Sequence, residues 1–169
     1  MPPAPLLPTV AVILSLLPVG SCFDLSSPAS PGSSPSPSAN AGYDAELALC
    51  VSITNTYRAS IGRGALTRAE RLDAYAAEAA RTDASAREAH HYTTNTKFGN
   101  GLVRAENELL WWPLSTYGTV RNVVEEGLAT MWKEGPGGTH YVNVVGNYSE
   151  IGCGIYVSGG EVTVEQAFR

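Results

Sequence analysis

The chain has 169 residues, the length of one ordinary domain, and 44% of them are apolar, which is sufficient for a globular core. Its formal net charge is −5, and all 11 Lys and Arg residues lie at or after Arg58 without forming a run. A nucleic-acid-binding face needs clustered basic residues, so we expect no nucleic-acid partner.

The N-terminus has the composition of an export signal. Residues 1–21 carry no charged side chain and contain the apolar block VAVILSLL, which is shorter than the roughly 20 residues of a membrane-spanning helix. We predict a signal peptide at 1–21 and an extracellular or cell-surface location. The sequence VGSC at 19–22 resembles a lipobox and predicts a lipid anchor on Cys22 as the only membrane contact. An ordinary cleavage site followed by an incidental cysteine is the alternative.

Residues 22–42 are rich in Ser and Pro and offer little that a core can bury. This composition predicts a disordered tether that holds the rest of the chain about 25 Å from its attachment point. The folded domain is expected at 43–169.

Helical spacing begins near Tyr43. After a possible cap at Asp44, apolar residues recur three and four positions apart until Gly62 and Gly64, and they comprise Leu47, Cys50, Ile53 and Tyr57. Thr67, followed by Glu70 three residues later, has the spacing of a capping box and predicts the start of a second helix.

The remaining elements are a strand, a helix and three further strands. Residues 100–112 start polar and end apolar before Pro113, which predicts a loop and then a short strand. Thr119 can cap a third helix, which the Gly/Pro block at 135–138 ends. Strands are predicted at 140–145, 150–157 and 161–168. Because helices precede strands, the pattern predicts an α+β domain with helices covering a largely antiparallel sheet.

The chain contains three cysteines. If Cys22 carries a lipid, Cys50 and Cys153 remain as a pair, and export favours a disulfide between the first helix and a central strand. Two free buried thiols are the alternative.

Signatures of familiar hydrolases, such as G-x-S-x-G and H-E-x-x-H, are absent from the sequence. Polar residues stand instead near the ends of predicted elements: His90, His91, Glu106, Glu134 and His140. Imidazoles and carboxylates together suit zinc, and a carboxylate beside a histidine also suits acid–base chemistry without a metal. Taken singly, the same residues are compatible with solvated helix ends, a loop and a surface strand.

Several segments, in order, resemble the CAP superfamily, the SCP-like domains of cysteine-rich secretory proteins, antigen 5 and pathogenesis-related proteins. NTYRASIGRGAL at 55–66 is similar to the opening helix of bacterial members. AEN at 105–107, the acid Glu134, THYVNVVG at 139–146 and YSEIGCGIYV at 148–157 are similar to the signature segments. Relatives commonly have GEN and GHY where this chain has AEN and THY, which alters the backbone beside each site residue and keeps the residue.

The resemblance implies an α-β-α sandwich with a cleft that contains two histidines and two glutamates. Carried over residue by residue, they are His91, with His90 as its rival, Glu106, Glu134 and His140. The implied cofactor is Zn²⁺ or another divalent cation, held by the two histidines, with the two glutamates as second candidates.

We therefore expect an exported binding module whose cleft takes a divalent cation, a small ligand, a lipid or an envelope component. A metal-dependent or acid–base hydrolase of cell-envelope material that uses the same residues is the alternative. A purely structural, disulfide-stabilised domain is a third hypothesis. The resemblance leaves the physiological ligand and the oligomeric state open.

Overall fold

The computed structural model describes residues 40–169. The predicted signal peptide at 1–21, Cys22 and nearly all of the predicted tether lie outside the described residues and stay predictions. No helix among the described residues has the length and apolar composition needed to cross a membrane.

Six helices and four strands make up the described part of the chain. The helices are α1 (Asp44–Ser60), α2 (Glu70–Ala86), α3 (His91–Gly101), α4 (Leu114–Tyr117), α5 (Val120–Lys133) and α6 (Thr139–Val144), with a 3₁₀ turn at Gly135–Gly137. The strands are β1 (Thr67–Arg68), β2 (Ala105–Pro113), β3 (Glu150–Ser158) and β4 (Glu161–Phe168). Thr119 caps α5 as predicted, because its side chain accepts a hydrogen bond from the Asn122 N–H at 3.1 Å.

The four strands form one sheet in the order β1-β3-β4-β2. β4 pairs with β3 and with β2 in antiparallel register, whereas the two-residue β1 pairs in parallel with β3. The largely antiparallel sheet predicted from the sequence is confirmed.

Helices cover both faces of this sheet. On one face α1, α5 and α6 bury apolar side chains against strand residues such as Ile151, Ile155 and Val164. On the other face α2 and the ends of α3 form a smaller core with Ala167 of β4. Successive strand residues point to opposite faces, so that in β4 Val164 packs in the larger core and Ala167 in the smaller one. The α+β class and the α-β-α sandwich are therefore confirmed.

Helix α2 lies directly on β3 because β3 carries glycines on that face. A Cβ atom built on Gly152 would lie 2.1 Å from the carbonyl carbon of Leu72, and one built on Gly154 would lie 2.1 Å from that of Ala76. A side chain at either position would push the helix away from the sheet. This close approach brings the later part of α2 down to the polar residues of β2 and β4.

The predicted disulfide is confirmed. Cys50 of α1 and Cys153 of β3 are bonded across the larger core, 103 residues apart in sequence, and both are fully buried. The bond ties the first helix of the domain to its central sheet.

The capping box predicted at Thr67 is wrong. Thr67 belongs to β1, where its N–H donates to the Ser149 carbonyl at 3.0 Å, and α2 begins at Glu70 after an extended Ala69. Pairing with the start of β3 keeps the Thr67 backbone extended, so this residue does not cap the helix.

The strand predicted at 140–145 is also wrong, because Thr139–Val144 form α6. The β-branched residues favour a strand locally. Helical spacing instead sets the Tyr141 ring against Trp132, with centroids 4.6 Å apart, and buries Val144 in the larger core. Tertiary packing overrides the local preference here.

Helix α3 has no counterpart among the sequence predictions. Its residues are polar and lack an apolar stripe, and Thr93 is its one buried residue. Its last part, residues 97–100, has left-handed backbone angles with φ between 51° and 59°. The side chain of Phe98 in this left-handed turn is exposed.

Ordered contacts begin slightly before the expected domain boundary. Asn40, which falls in the predicted tether, donates from Nδ2 to the Asp73 carbonyl at 3.2 Å and accepts the Ile155 N–H at 2.9 Å. This side chain therefore bridges α2 and β3.

Candidate functional site

The candidate site starts from two glutamates at the beginning of β2. Glu106 and Glu108 are two residues apart on one strand, so both side chains point to the face covered by α2, while Asn107 points to the other face. Both carboxylates are buried, with 6% and 7% of each residue exposed. Burial of a carboxylate is costly, so each needs partners.

His90 provides one of these partners. It precedes α3 in a left-handed conformation, with φ 56° and ψ 18°, which is uncommon for a residue other than glycine. Its N–H donates to Glu108 Oε1 at 2.8 Å, and its Nδ1 lies 2.7 Å from Glu106 Oε1 and 3.1 Å from Glu108 Oε1. We call His90, Glu106 and Glu108 the outer group.

Thr93 orients the Glu106 carboxylate from the first turn of α3. The Thr93 hydroxyl donates to Glu106 Oε2 and accepts from the Tyr75 hydroxyl at 2.6 Å. Thr93 is almost completely buried. The two oxygens of Glu106 are thus held by different side chains, which sets the plane of the carboxylate.

The structure differs from the sequence expectation at one histidine. His91, expected to face the cleft, lies with Nδ1 2.9 Å from Glu88 Oε2 at the surface, and its rival His90 lies beside Glu106. His91 is the first residue of α3, three residues after Glu88, so the start of the helix directs its ring outward. The left-handed turn at His90 directs that ring toward β2.

Glu134 and His140 form a second pair. Nδ1 of His140 lies 2.5 Å from Glu134 Oε1, and the His140 N–H donates to Glu134 Oε2 at 3.2 Å. A Cβ atom on Gly138 would lie 2.2 Å from Glu134 Cβ, so only glycine at 138 leaves room for this carboxylate. Trp132, two residues earlier, is stacked on Tyr57 with ring centroids 4.8 Å apart, which anchors the end of α5.

The two pairs are connected through amides at the start of β2. Asn107 Nδ2 donates to the His140 carbonyl at 3.2 Å, and Asn143 Nδ2 donates to the Glu106 carbonyl at 2.8 Å and to Asn107 Oδ1 at 2.9 Å. Helix α6 therefore lies across the strand that carries the outer group. Gln166 of β4 completes this buried network, because its Oε1 accepts from Asn107 at 3.0 Å.

A pocket of about 290 Å³ opens above Glu106. It is walled by α3, the start of β2 and α6, and its lining comprises His90, Thr93, Thr94, Phe98, Arg104, Ala105, Glu106 and Asn143. The lining combines ionisable, amide and hydroxyl groups with the apolar side chains of Phe98 and Ala105.

Comparison with known proteins assigns the fold to a family. The model of the cysteine-rich secretory protein family, CAP, matches residues 51–166. The chain belongs to the CAP family. The resemblance expected from the sequence motifs is thereby confirmed.

Other comparisons with this CAP domain are more distant. No curated protein matches the chain significantly. A crystal structure of a cysteine-rich secretory protein from Staphylococcus aureus is similar, with a TM-score of 0.48 and 14% identity, over 74% of this chain and 38% of that one. The present chain thus spans about two fifths of the length of that protein.

The outer group of this CAP domain fits a divalent cation. Nδ1 or Nε2 of His90 and one oxygen each of Glu106 and Glu108 all lie within 4.8 Å of one another. Tetrahedral zinc, with ligands about 2.0–2.2 Å away, holds its ligand atoms about 3.4 Å apart. Neither Glu134 nor His140 belongs to a three-residue group this compact among residues 40–169. The residues expected in the cleft therefore form two pairs, His90 with Glu106 and Glu134 with His140, and His91 belongs to neither.

Further carboxylates lie beneath the outer group of the CAP domain. Asp83 of α2, Glu108 of β2 and Glu165 of β4 each offer a ligand atom within 4.8 Å of the others, and we call them the inner group. Burial raises the pKa of Glu108 to about 9, and the neighbouring carboxyl groups of Asp83 and Glu106 raise it further. Burial likewise raises the pKa of Glu165 well above its usual range and raises that of Asp83.

The sequence analysis did not identify the inner group or Thr93 as site residues. Glu108 had a signal, because it follows Glu106 by two positions on a predicted strand and must share its face. Asp83 and Glu165 had none, since their approach depends on how α2 and β4 pack against β2. Thr93 lies in a helix that the sequence pattern did not predict.

Proposed function

We propose that this protein is an exported CAP-type binding module that holds a divalent cation on the outer group and takes a small ligand in the adjoining pocket. The observation that carries the proposal is the convergence of one imidazole and two buried carboxylates beside an open pocket. The side chain of His90 is 53% exposed and can be reached from solvent, whereas that of Glu106 is 4% exposed. A cation there would neutralise carboxylates that are costly to bury.

The pocket lining favours a ligand with an anionic group and a short apolar part. Arg104 on the rim is exposed and takes part in no ion pair within residues 40–169. A guanidinium near a bound cation attracts carboxylate or phosphate groups. Phe98 and Ala105 supply the apolar part of the lining. A lipid head group or an anionic fragment of the cell envelope has this chemistry.

Export is supported by two sequence features and by the family. Residues 1–21 have the composition of a signal peptide, and the Ser/Pro-rich residues 22–42 suit a tether. Membership of a family of secretory proteins agrees with this location. We propose Cys22 as the lipid-anchored residue, to be checked by mass spectrometry of protein isolated from its own host.

Zinc titration of the full chain by calorimetry tests the proposal. Wild type should bind Zn²⁺, and His90→Ala should weaken binding strongly because it removes the imidazole ligand. His91→Ala is the matched control, since it removes the adjacent histidine, which faces Glu88. Binding should weaken as the pH falls, because protons compete with the metal for its ligands.

Two outcomes would contradict the outer site. If His90→Ala binds Zn²⁺ as wild type does, the outer group is not the ligand set. If wild type binds no divalent cation, the structural hypothesis gains. Glu134→Gln and His140→Ala extend the test, because loss of affinity in either variant would show that the second pair contributes to the same cation.

A hydrolase is the second candidate, and the Glu134–His140 pair favours it. A carboxylate 2.5 Å from Nδ1 orients the imidazole, which is how acid–base histidines are commonly supported. Cleavage of peptidoglycan, peptides or esters by the purified chain would support this function if both His140→Ala and Glu106→Gln abolish it. If turnover survives both substitutions, these residues are not catalytic and the hydrolase function of this site is contradicted.

A further inference from the structure

The inner group has an arrangement that is unfavourable without a ligand. Glu108 of β2 is directly opposite Glu165 of β4 in the antiparallel register. Like charges in directly opposed positions destabilise a sheet. Asp83 approaches the same pair from α2. Asp83 and Glu165 are 0% exposed and Glu108 is 7% exposed, so water does not relieve the repulsion.

Four of the six carboxylate oxygens of this group also lack a hydrogen-bond partner among the described residues. Within residues 40–169, every buried side-chain polar atom without a hydrogen-bond partner belongs to it: Asp83 Oδ2, Glu108 Oε2 and both oxygens of Glu165. Among the described residues, these three carboxylates take part in one ion pair, the contact between His90 and Glu108. Buried polar groups in native proteins are nearly always paired, so four unpaired oxygens in one place point to a missing partner.

We propose that Asp83, Glu108 and Glu165 form a second divalent-cation site, buried between α2 and the sheet and joined to the outer group through Glu108. Glu108 suits the bridging position because its Oε1 lies 3.1 Å from His90 Nδ1 while its Oε2 has no partner. The inference goes beyond the proposed function, because it needs neither the pocket nor a ligand in it.

The donor set selects a hard cation. All donors are carboxylate oxygens, which suit Ca²⁺, Mn²⁺ or Mg²⁺ better than a thiophilic metal. Ligands about 2.3–2.6 Å from Ca²⁺ lie at most about 5 Å apart across the ion. The ligand atoms of the inner group lie within 4.8 Å of one another, which is inside this limit.

The His90→Ala variant of the full chain isolates the inner site. The backbone N–H at position 90 still donates to Glu108 in this variant, so the inner carboxylates keep their position. After removal of metals by EDTA, binding of Mn²⁺ is measured by electron paramagnetic resonance, with Ca²⁺ as competitor. We expect one bound Mn²⁺ per chain, displaced by Ca²⁺.

Adding Glu165→Gln to this variant should weaken Mn²⁺ binding by at least the ~10–100-fold that loss of an outer-shell partner typically costs. Asp83→Asn is a second variant, because the amide oxygen can still accept the Tyr92 N–H that Asp83 Oδ1 accepts at 2.7 Å. Glu126→Gln on the exposed face of α5 is the control and should bind as its parent does. Near-ultraviolet circular dichroism checks that each variant is folded.

Two results would overturn the inner site. If the His90→Ala variant binds neither Mn²⁺ nor Ca²⁺ at millimolar concentration, then protons shared between the carboxyl groups, and not a cation, satisfy them. Mn²⁺ binding that is unchanged by both Glu165→Gln and Asp83→Asn would locate the ion elsewhere. The zinc that wild type binds in excess of His90→Ala tests the outer group separately, because the inner site is present in both proteins, so the two failures are distinguishable.

Discussion

Removing the Cys50–Cys153 disulfide should cost a large part of the stability of the domain. The bond links residues 103 apart. In the chain-entropy model, a loop of this size restricts the unfolded chain enough to raise the free energy of unfolding by about 4.7 kcal/mol at 25 °C. Total stabilities are usually about 5–15 kcal/mol, so the double variant Cys50→Ala/Cys153→Ala should be marginally stable.

Urea unfolding followed by tryptophan fluorescence measures this loss. With a slope of about 2 kcal/mol per molar urea, typical of domains of this size, the midpoint should fall by roughly 2 M. Wild type reduced with dithiothreitol should lose a similar amount. The slope should also increase in both cases, because an unfolded chain without the cross-link exposes more surface. Alkylation of native, oxidised protein should leave both cysteines unlabelled.

The comparison of the reduced and double-alanine proteins tests the reasoning. If the loss comes from the unfolded state, the two proteins differ only by the small core defects that Cys→Ala creates. A loss below about 1 kcal/mol in the reduced protein would refute the loop argument. An unchanged slope together with a large loss would mean that the bond acts through the folded state.

Three further predictions concern packing, the outer group and pH. Gly154→Ala should lower the free energy of unfolding by about 1–3 kcal/mol or more, because the new methyl group collides with the α2 backbone. Gly64→Ala is the control: its Cβ atom has no neighbour within 4 Å, so the urea midpoint should change little. Thr93→Val should weaken zinc binding about 10–100-fold in calorimetry, because the Glu106 carboxylate loses the hydroxyl that orients it. Thr94→Val, at the exposed neighbouring position, should leave zinc binding unchanged. In EDTA, the free energy of unfolding should fall from pH 5.5 to 8.5, because burial raises the pKa of Glu108 to about 9 and that of Glu165 well above its usual range, so the folded state holds protons that the unfolded state releases. Glu165→Gln should reduce that slope by up to about 1.4 kcal/mol per pH unit, and stability that rises with pH instead would contradict the raised pKa.

Elements with strong local signals were predicted well. α5 has its cap at Thr119 and its Gly/Pro block after it, and β3 and β4 are β-branched runs around a Gly-containing turn. The errors occurred where a distant partner decides the backbone. Thr67 pairs with β3 in place of capping a helix, and 139–144 become helical because Tyr141 and Val144 find Trp132 and the core.

The candidate site divides in the same way. Glu106, Glu134 and His140 were identified from motifs, and the structure holds each of them at or beside the start of β2 or α6. The choice between His90 and His91 required the backbone. His90, in a left-handed conformation, turns its ring toward Glu106, and His91 begins a helix with its ring at the surface beside Glu88. Sequence spacing does not distinguish these two conformations.

By itself, the sequence determined the class of the domain, its family and the cysteine pair, because periodicity, turn residues, cysteine number and short motifs are local or countable properties. Only the tertiary structure decided the rest. The register of β2 against β4 sets Glu108 opposite Glu165, and the glycines of β3 let α2 bring Asp83 down to them. Strand register and helix–sheet distance result from packing between segments far apart in the chain, so neither leaves a pattern in any one stretch of sequence.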